Sequence, residues 1–273
     1  MFLQLSSPHV HTRWCDGQST AEEMVLAALD KGFVSIGFSS HAVQNFDPEY
    51  CIAAEHEQDY INEVRAAREK FAGRIRVWMG IERDRYSSAD RGLYDYVLAS
   101  VHYLTHEDGY IPIDGPLEDV QRYIEAACGG DGAEMAVRYY RQLGAYIASY
   151  KPDIIGHFDI VCKHNRGGAL FDPDDARVRR AAVEALEQAI TGCRLMEVNT
   201  GAVVRSGGRP YPSLELLMRW RDLGGEVILS SDCHHASGIA GGYQQGLQLM
   251  REAGYDRMKF LGTGNQLFEE CPI

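Results

Sequence analysis

Short runs of apolar and β-branched residues alternate along this chain with longer stretches whose apolar positions recur every three to four residues. The short runs predict strands at 3–6, 34–39, 75–81, 96–101, 153–156, 195–198 and 227–230, with a weaker eighth at 258–261. Helical periodicity fills 20–31, 55–72, 117–127, 133–150, 174–191, 213–223 and 237–253. Ser19 with Glu22, and Thr20 with Glu23, offer overlapping capping boxes ahead of the first helix, and Gly32 can close it. The glycine-rich stretch 128–132 separates two adjacent helices, and 105–150 is the main excursion from simple alternation. Strand–helix alternation of this kind builds a parallel sheet or barrel, and no linker interrupts it. A single domain over residues 1–273 is therefore expected.

Composition narrows the picture. The 273 residues are 45% hydrophobic and 24% charged, an ordinary globular mix, and Gly 28 with Pro 9 gives no support to fibrous or low-complexity readings. The net charge of −12 leaves no broad basic field for nucleic acid or an anionic membrane, so neither is an expected partner. An anionic substrate must instead meet local positive charge. Seven scattered cysteines without a CxxC pair suit free thiols in a reducing compartment. No basic segment precedes a long apolar run at the N-terminus, and nowhere are about eighteen apolar residues consecutive, so a cytoplasmic protein is expected.

Chemistry concentrates where the predicted strands end. His9 and His11 follow the first strand two residues apart, so an extended chain projects both imidazoles to one side, and Asp16 lies in the turn beyond. His41 follows the second strand, Glu82 the third, His102 the fourth, His157 the fifth, and Asp232 with His234 the seventh. A barrel would gather these nine groups in one mouth, at the C-terminal ends of its strands. A lone histidine at a strand end is ordinarily a hydrogen-bonded loop residue, but that reading does not explain nine groups on six strands. Imidazole and carboxylate without thiolate suit Zn, Mn, Fe or Co. Nine ligands exceed the needs of one tetrahedral ion, so two or three divalent ions sharing a bridging carboxylate are expected, with Glu82 as the bridge from its place in strand order.

The other groups carry less. His56, His106 and His164 lack comparable support, whereas His235 beside His234 is a candidate hydrogen-bond donor to the ligands. Cys15 and Cys233 adjoin ligands but read as small packed residues rather than nucleophiles. Tyr139 and Tyr140 read as core or groove at helical spacing. No phosphate-binding glycine loop, GxSxG elbow or dinucleotide fingerprint occurs.

The segments PHVH with the following Asp16, then SSH, GIE, SVH, GHFD and SDCH, in this order, resemble the polymerase and histidinol phosphatase (PHP) superfamily over nearly the whole chain. Within it, SVHYL, IDG, the paired tyrosines, GHFDIVCKHN and EVNT resemble histidinol-phosphate phosphatases. Arg83-Asp84-Arg85 departs from the apolar continuation expected after Glu82 in that subgroup. The resemblance implies an α/β fold, a distorted (β/α)7 TIM-like barrel of PHP type, with a trinuclear site at the C-terminal mouth of its strands. It implies one ion on His9, His11, Glu82 and Asp232, a second on Glu82, His102 and His157, and a third on Asp16, His41 and His234. The activity implied is hydrolysis of a small phosphomonoester, L-histidinol phosphate, by a metal-activated hydroxide. Glu82, Asp232 and His234 form the expected catalytic set, and Lys163 and Arg205 the phosphate contacts, with Arg209 as a substitute for Arg205. Leaving-group protonation is open to a metal-bound water, Asp232 or His235, and Glu107, Asp108 and Asp114 are candidate partners for a cationic leaving group. Two alternatives accompany this reading: a PHP phosphoesterase for another small phosphate ester or nucleotide, and a non-catalytic metal-binding module.

Overall fold

The computed structural model describes residues 2–107 and 109–273. Its main sheet runs β1 (Ser6–Ser7), β2 (Ser35–Phe38), β3 (Arg76–Asp84) and β4 (Tyr96–Ser100), followed by an offset hairpin of β5 (Tyr103–His106) and β6 (Gly109–Pro112). The sheet then resumes with β7 (Ile154–Ile155), β8 (Leu195–Asn199), β9 (Glu226–Ser230), β10 (Arg257–Leu261) and β11 (Phe268–Pro272). Omitting the hairpin, the strands pair in chain order, all parallel until the antiparallel β10–β11 pair. The sheet curls until the segments just beyond β1 and β9 meet: Val10 bridges Cys233, with His11 N donating to Cys233 O at 3.0 Å. A second closure lies lower, where Leu261 N donates to Ser6 Oγ at 3.2 Å and Ser35 Oγ donates to Leu261 O. This is the distorted barrel expected, with the eighth run serving as its lower seam.

Among the described residues, eight α-helices cover the wall: α1 (Ala21–Asp30), α2 (Glu57–Lys70), α3 (Leu117–Cys128), α4 (Gly132–Tyr150), α5 (Ala176–Ala189), α6 (Gly201–Ser206), α7 (Leu214–Asp222) and α8 (Tyr243–Glu252). Of the two overlapping capping boxes, Thr20 with Glu23 is the one that forms. Ser19 is diverted to accept from Ala236 N. Gly129, at φ 61°, ends α3 in the left-handed conformation that a side chain would disfavour. Three expectations change. The first strand lies at Ser6–Ser7 rather than 3–6; Leu5 O still accepts from Val34 N, but the paired ladder begins only at Ser6. The helix expected over 237–253 is split, because Gly242 at φ 72° breaks it into a short 3₁₀ turn at Ala236–Gly238 and α8. The hairpin, α6 and β11 were not signalled by periodicity, being too short or too mixed in polarity. Among the described residues, no helix is long and apolar enough to cross a membrane.

Tyr96 occupies the barrel interior beneath the site, its hydroxyl donating to Pro8 O just before His9. Room for the ring comes from Gly80 on the neighbouring strand, where a Cβ would stand 2.2 Å from Tyr96 Cζ. Gly80→Ala should therefore destabilise the protein by about 1–3 kcal/mol through overpacking, read as a lower urea midpoint. An unchanged midpoint would show that the interior yields.

Candidate metal centre

Glu82 is the hub. It lies on β3 with its side chain wholly buried, and the imidazoles of four other chain segments converge on it. Its Oε2 is 3.0 Å from His9 Nε2, 3.0 Å from His41 Nδ1 and 3.5 Å from His11 Nε2. Its Oε1 is 3.1 Å from His157 Nε2 and 3.4 Å from His102 Nε2, and accepts from Ser100 Oγ at 2.6 Å. Burial by itself raises a carboxyl pKa, but His9, His41 and His102 hold Glu82 well below the ordinary range. Asp232, just beyond β9, sits in the left-handed region at φ 46°. This turn sets its Oδ1 3.2 Å from His11 Nε2 and 3.6 Å from His9 Nε2, leaving Oδ2 to Arg205 and Asn199.

All nine predicted ligands thus come together. Around Oε2 gather His9, His11 and Asp232; around Oε1, His102 and His157, whose Nε2 atoms are 3.1 Å apart. Asp16 is 3.0 Å from His234 Nε2, 3.8 Å from His41 Nε2 and 3.6 Å from His11 Nδ1. Ligands about 2.1 Å from a tetrahedral ion stand about 3.4 Å from one another, and the separations around Glu82 match that edge. Three buried polar atoms here, His11 Nε2, Asp16 Oδ1 and His157 Nδ1, have no hydrogen-bond partner. The first two face the cluster, where a cation would satisfy them. Burial, with His234 and His41 alongside, pulls the His11 pKa down to about 3, so its ring is neutral and carries a lone pair at neutral pH. His102 goes the other way: burial is outweighed by Glu82 and Asp84, and its pKa rises to about 10.

A cleft of ≈ 550 Å³ opens above the cluster. Asp16, His41, His102 and His234 line it, whereas His9 and His11 are fully buried and outside its lining. Lys163 is in the wall, its ammonium donating to Asp114 O, 3.9 Å from the Asp114 carboxylate. Arg205 stands at the cage itself, 2.8 Å from Asp232 Oδ2 and 2.9 Å from His234 Nδ1. His164 also reaches the wall, bonding Gly115 O at 2.8 Å.

Several expectations fail on geometry. Arg209 does not substitute for Arg205, because it is held at 2.7 Å by the buried Asp159 and lines a separate cleft. His235 points away to Ser237 Oγ, 2.8 Å distant, so it neither supports the ligands nor serves as an acid there. The Glu107 side chain is 84% exposed and outside the cleft; Asp114 is within it; Asp108 lies outside the described residues. His56 is half exposed and pairs with Asp59, and His106 lies in the hairpin. Tyr139 and Tyr140 are core. In the Arg83-Asp84-Arg85 run, strand alternation turns Asp84 inward, where Oδ2 accepts from His102 N at 2.7 Å. Arg83 points outward to Tyr146 Oη, so the unusual sequence leaves the cage intact.

Sequence reasoning missed the groups that hold the ligands. Glu197, fully buried on β8, bonds His9 Nδ1 and His157 N, and Asn199 connects it to Asp232. The available signal was a charged residue two positions before an asparagine inside an apolar strand, since a buried charge requires partners.

The family model described as PHP domain matches residues 7–201. A Deinococcus radiodurans protein named "Probable histidinol-phosphatase" is 28% identical over 261 residues, covering 92% of this chain and 94% of its own. The histidinol-phosphatase of Bacillus subtilis (strain 168) is 26% identical over 272 residues, covering 90% and 99%. Among solved structures, the histidinol phosphate phosphatase of Lactococcus lactis subsp. lactis, complexed with Zn, L-histidinol and phosphate, superposes with a TM-score of 0.68. It is 20% identical and covers 93% of this chain and 95% of that one.

Cys15 and Cys233 flank the cage without entering it. Burial pushes both thiols up to about 12, with Asp16 and Asp232 respectively adding to the shift. At pH 8 the thiolate fraction is about one in ten thousand. Native protein treated with iodoacetamide at pH 8 should therefore keep both cysteines unmodified by mass spectrometry, and prompt stoichiometric labelling of either would contradict the assignment.

Proposed function

Because the chain belongs to the PHP domain family, we propose that its cage of imidazoles and carboxylates hydrolyses a small phosphate monoester, L-histidinol phosphate, to L-histidinol and phosphate. The observation that carries this reading is the convergence of nine imidazole and carboxylate side chains on one basin, five of the imidazoles on the buried Glu82 and His41 linking it to Asp16 and His234. His9, His11, Glu82 and Asp232 would hold one divalent ion, Glu82, His102 and His157 a second, and Asp16, His41 and His234 a third. The donor set suits Zn, Mn, Fe or Co, and Zn is the ion of the Lactococcus relative. Ions bound there would supply Lewis acidity to phosphoryl oxygens and lower the pKa of water enough for attack near neutral pH.

The chain's own groups supply the remainder. Lys163 and Arg205 add positive charge to the walls of a cleft lined by five carboxylates, so in a protein of net charge −12 a phosphate dianion would be drawn here once the cage holds its divalent ions. Arg205, tied to Asp232 and His234, keeps those two ligands in place while its guanidinium remains at the cleft surface. Opposite chemistry is available for the amine and imidazole of the leaving group. Burial opposes ionisation of Asp114, but His102 and Lys163 hold its pKa below the ordinary value. Asp47, which accepts from Tyr103 Oη at 2.6 Å, is a second carboxylate in the wall. Protonation of the leaving oxygen falls to water, because His235 is excluded by position and, although burial opposes it, Arg205 and His9 hold Asp232 ionised, its pKa well below the ordinary carboxylate range.

The reading is tested by measuring phosphate release from a panel of small phosphomonoesters with Zn or Mn. L-histidinol phosphate should give the highest kcat/KM. Preference for another ester overturns the substrate assignment, and an ion-loaded protein inert on every ester overturns the enzymatic reading. His102→Ala should lower kcat roughly 10²- to 10³-fold with an unchanged far-UV CD spectrum, and a wild-type kcat would remove His102 from the site.

A further inference from the structure

We infer that Glu197 is a positioning residue that fixes the two ion-holding groups built on Glu82, pinning His9 in the tautomer that presents Nε2 and anchoring the backbone of His157. The inference rests on the metal reading above. Glu197 is fully buried in the middle of β8, yet no arginine or lysine is paired with it among the described residues. Four donors surround its two oxygens instead. Oε1 accepts from His157 N at 2.6 Å and Asn199 Nδ2 at 2.9 Å, and Oε2 accepts from Ser230 Oγ at 2.6 Å and lies 2.9 Å from His9 Nδ1. Surrounded by donors, both oxygens of Glu197 act as acceptors.

This acceptor role dictates the His9 proton. With Nδ1–H committed to Glu197, Nε2 is the nitrogen left for the cluster, and Nε2 is the one 3.0 Å from Glu82 and 3.6 Å from Asp232. Of the six imidazoles, only His9 turns its second nitrogen to a carboxylate behind the cage at hydrogen-bond distance. His102 Nδ1 is 3.6 Å from Asp84, His11 Nδ1 is 3.5 Å from Cys15 Sγ, and His157 Nδ1 has no partner. His157 is held by its main chain instead, through the other oxygen of Glu197. Asn199 carries the restraint onward, donating to Asp232 Oδ2 at 3.1 Å. One carboxylate therefore restrains ligands from three places around the barrel.

Glutamine at 197 cannot reproduce this. With its oxygen toward His157 N and Asn199, its NH₂ faces His9 Nδ1 and forces the proton to Nε2, where a ligand lone pair is needed. Flipped, the NH₂ meets two donors and displaces His157. In either orientation an ion on Glu82 is held less well, whereas the group of Asp16, His41 and His234 makes no contact with residue 197.

The test compares wild type and Glu197→Gln, stripped of metal and reloaded from a Zn buffer, by Zn content and competition with a chromophoric chelator. Far-UV CD of the metal-free proteins reports folding. The expected result is a folded variant whose Zn affinity falls 10- to 100-fold at the weakened positions and which retains less than the wild-type Zn per chain. A folded variant with wild-type content and affinities within twofold overturns the inference. If the variant does not fold, histidine-selective ¹⁵N NMR of Zn-loaded wild type decides. A His9 Nδ1–H protected from exchange supports the inference, and an unprotonated Nδ1 overturns it. Wild type that takes up no Zn or Mn overturns the metal reading itself, an outcome distinct from equal uptake by both proteins.

Discussion

A carboxylate sealed from water must be met by positive charge or by hydrogen-bond donors, and at Glu82 this requirement organises the mouth of the barrel. Five imidazoles and a serine hydroxyl approach its two oxygens from four chain segments. Neutral imidazoles can each offer one proton at most, and protonated ones would repel each other across separations as short as 3.1 Å. Cations resolve both conflicts together, since they satisfy lone pairs on imidazole and carboxylate alike. The barrel makes this crowding possible because its strands end at one level and its interior beneath is filled by Tyr96.

Two kinds of structure meet at the cleft. Glu82 lies within a parallel strand and the other predicted ligands lie in the segments that follow the strands, some fixed by backbone pairing, as in the bridge between His41 and Glu82. The excursion between β4 and β7 supplies Tyr103 from the hairpin and Asp114 from the segment leading into α3, in walls bonded to the barrel by side chains. Lys163, beyond β7, meets this excursion at Asp114, and Asp47, between β2 and β3, meets it at Tyr103.

Much of this was legible in the chain. Strand ends could be located from β-branched runs, and histidine or carboxylate at six of them pointed to one basin because parallel strands in a barrel share a direction. Lys163 and Arg205 were placed at the cleft by their distance from His157 and EVNT. What escaped was information carried by orientation rather than position. Arg209 and His235 sit close to site residues in sequence, yet a buried Asp159 captures one and a local turn with Ser237 captures the other. Glu197 was invisible as a site group because its partners, His9 and Ser230, are remote in sequence and become neighbours only once the sheet has curled. Asp84 was concealed between two arginines, whose polarity masked the strand alternation that turns it inward.

The upper seam of the barrel has a temporal meaning. Val10 and Cys233 meet there, so His9 and His11 come into register with Asp232 and His234 only when the beginning and end of the cage-forming chain are both present. During synthesis the ribosome releases the first two imidazoles more than two hundred residues before their aspartate partner. A nascent chain can expose these donors one by one, but it cannot enclose a cation among them. Enclosure of a cation by all nine groups would therefore wait until the chain through His234 has been made and the sheet has curled.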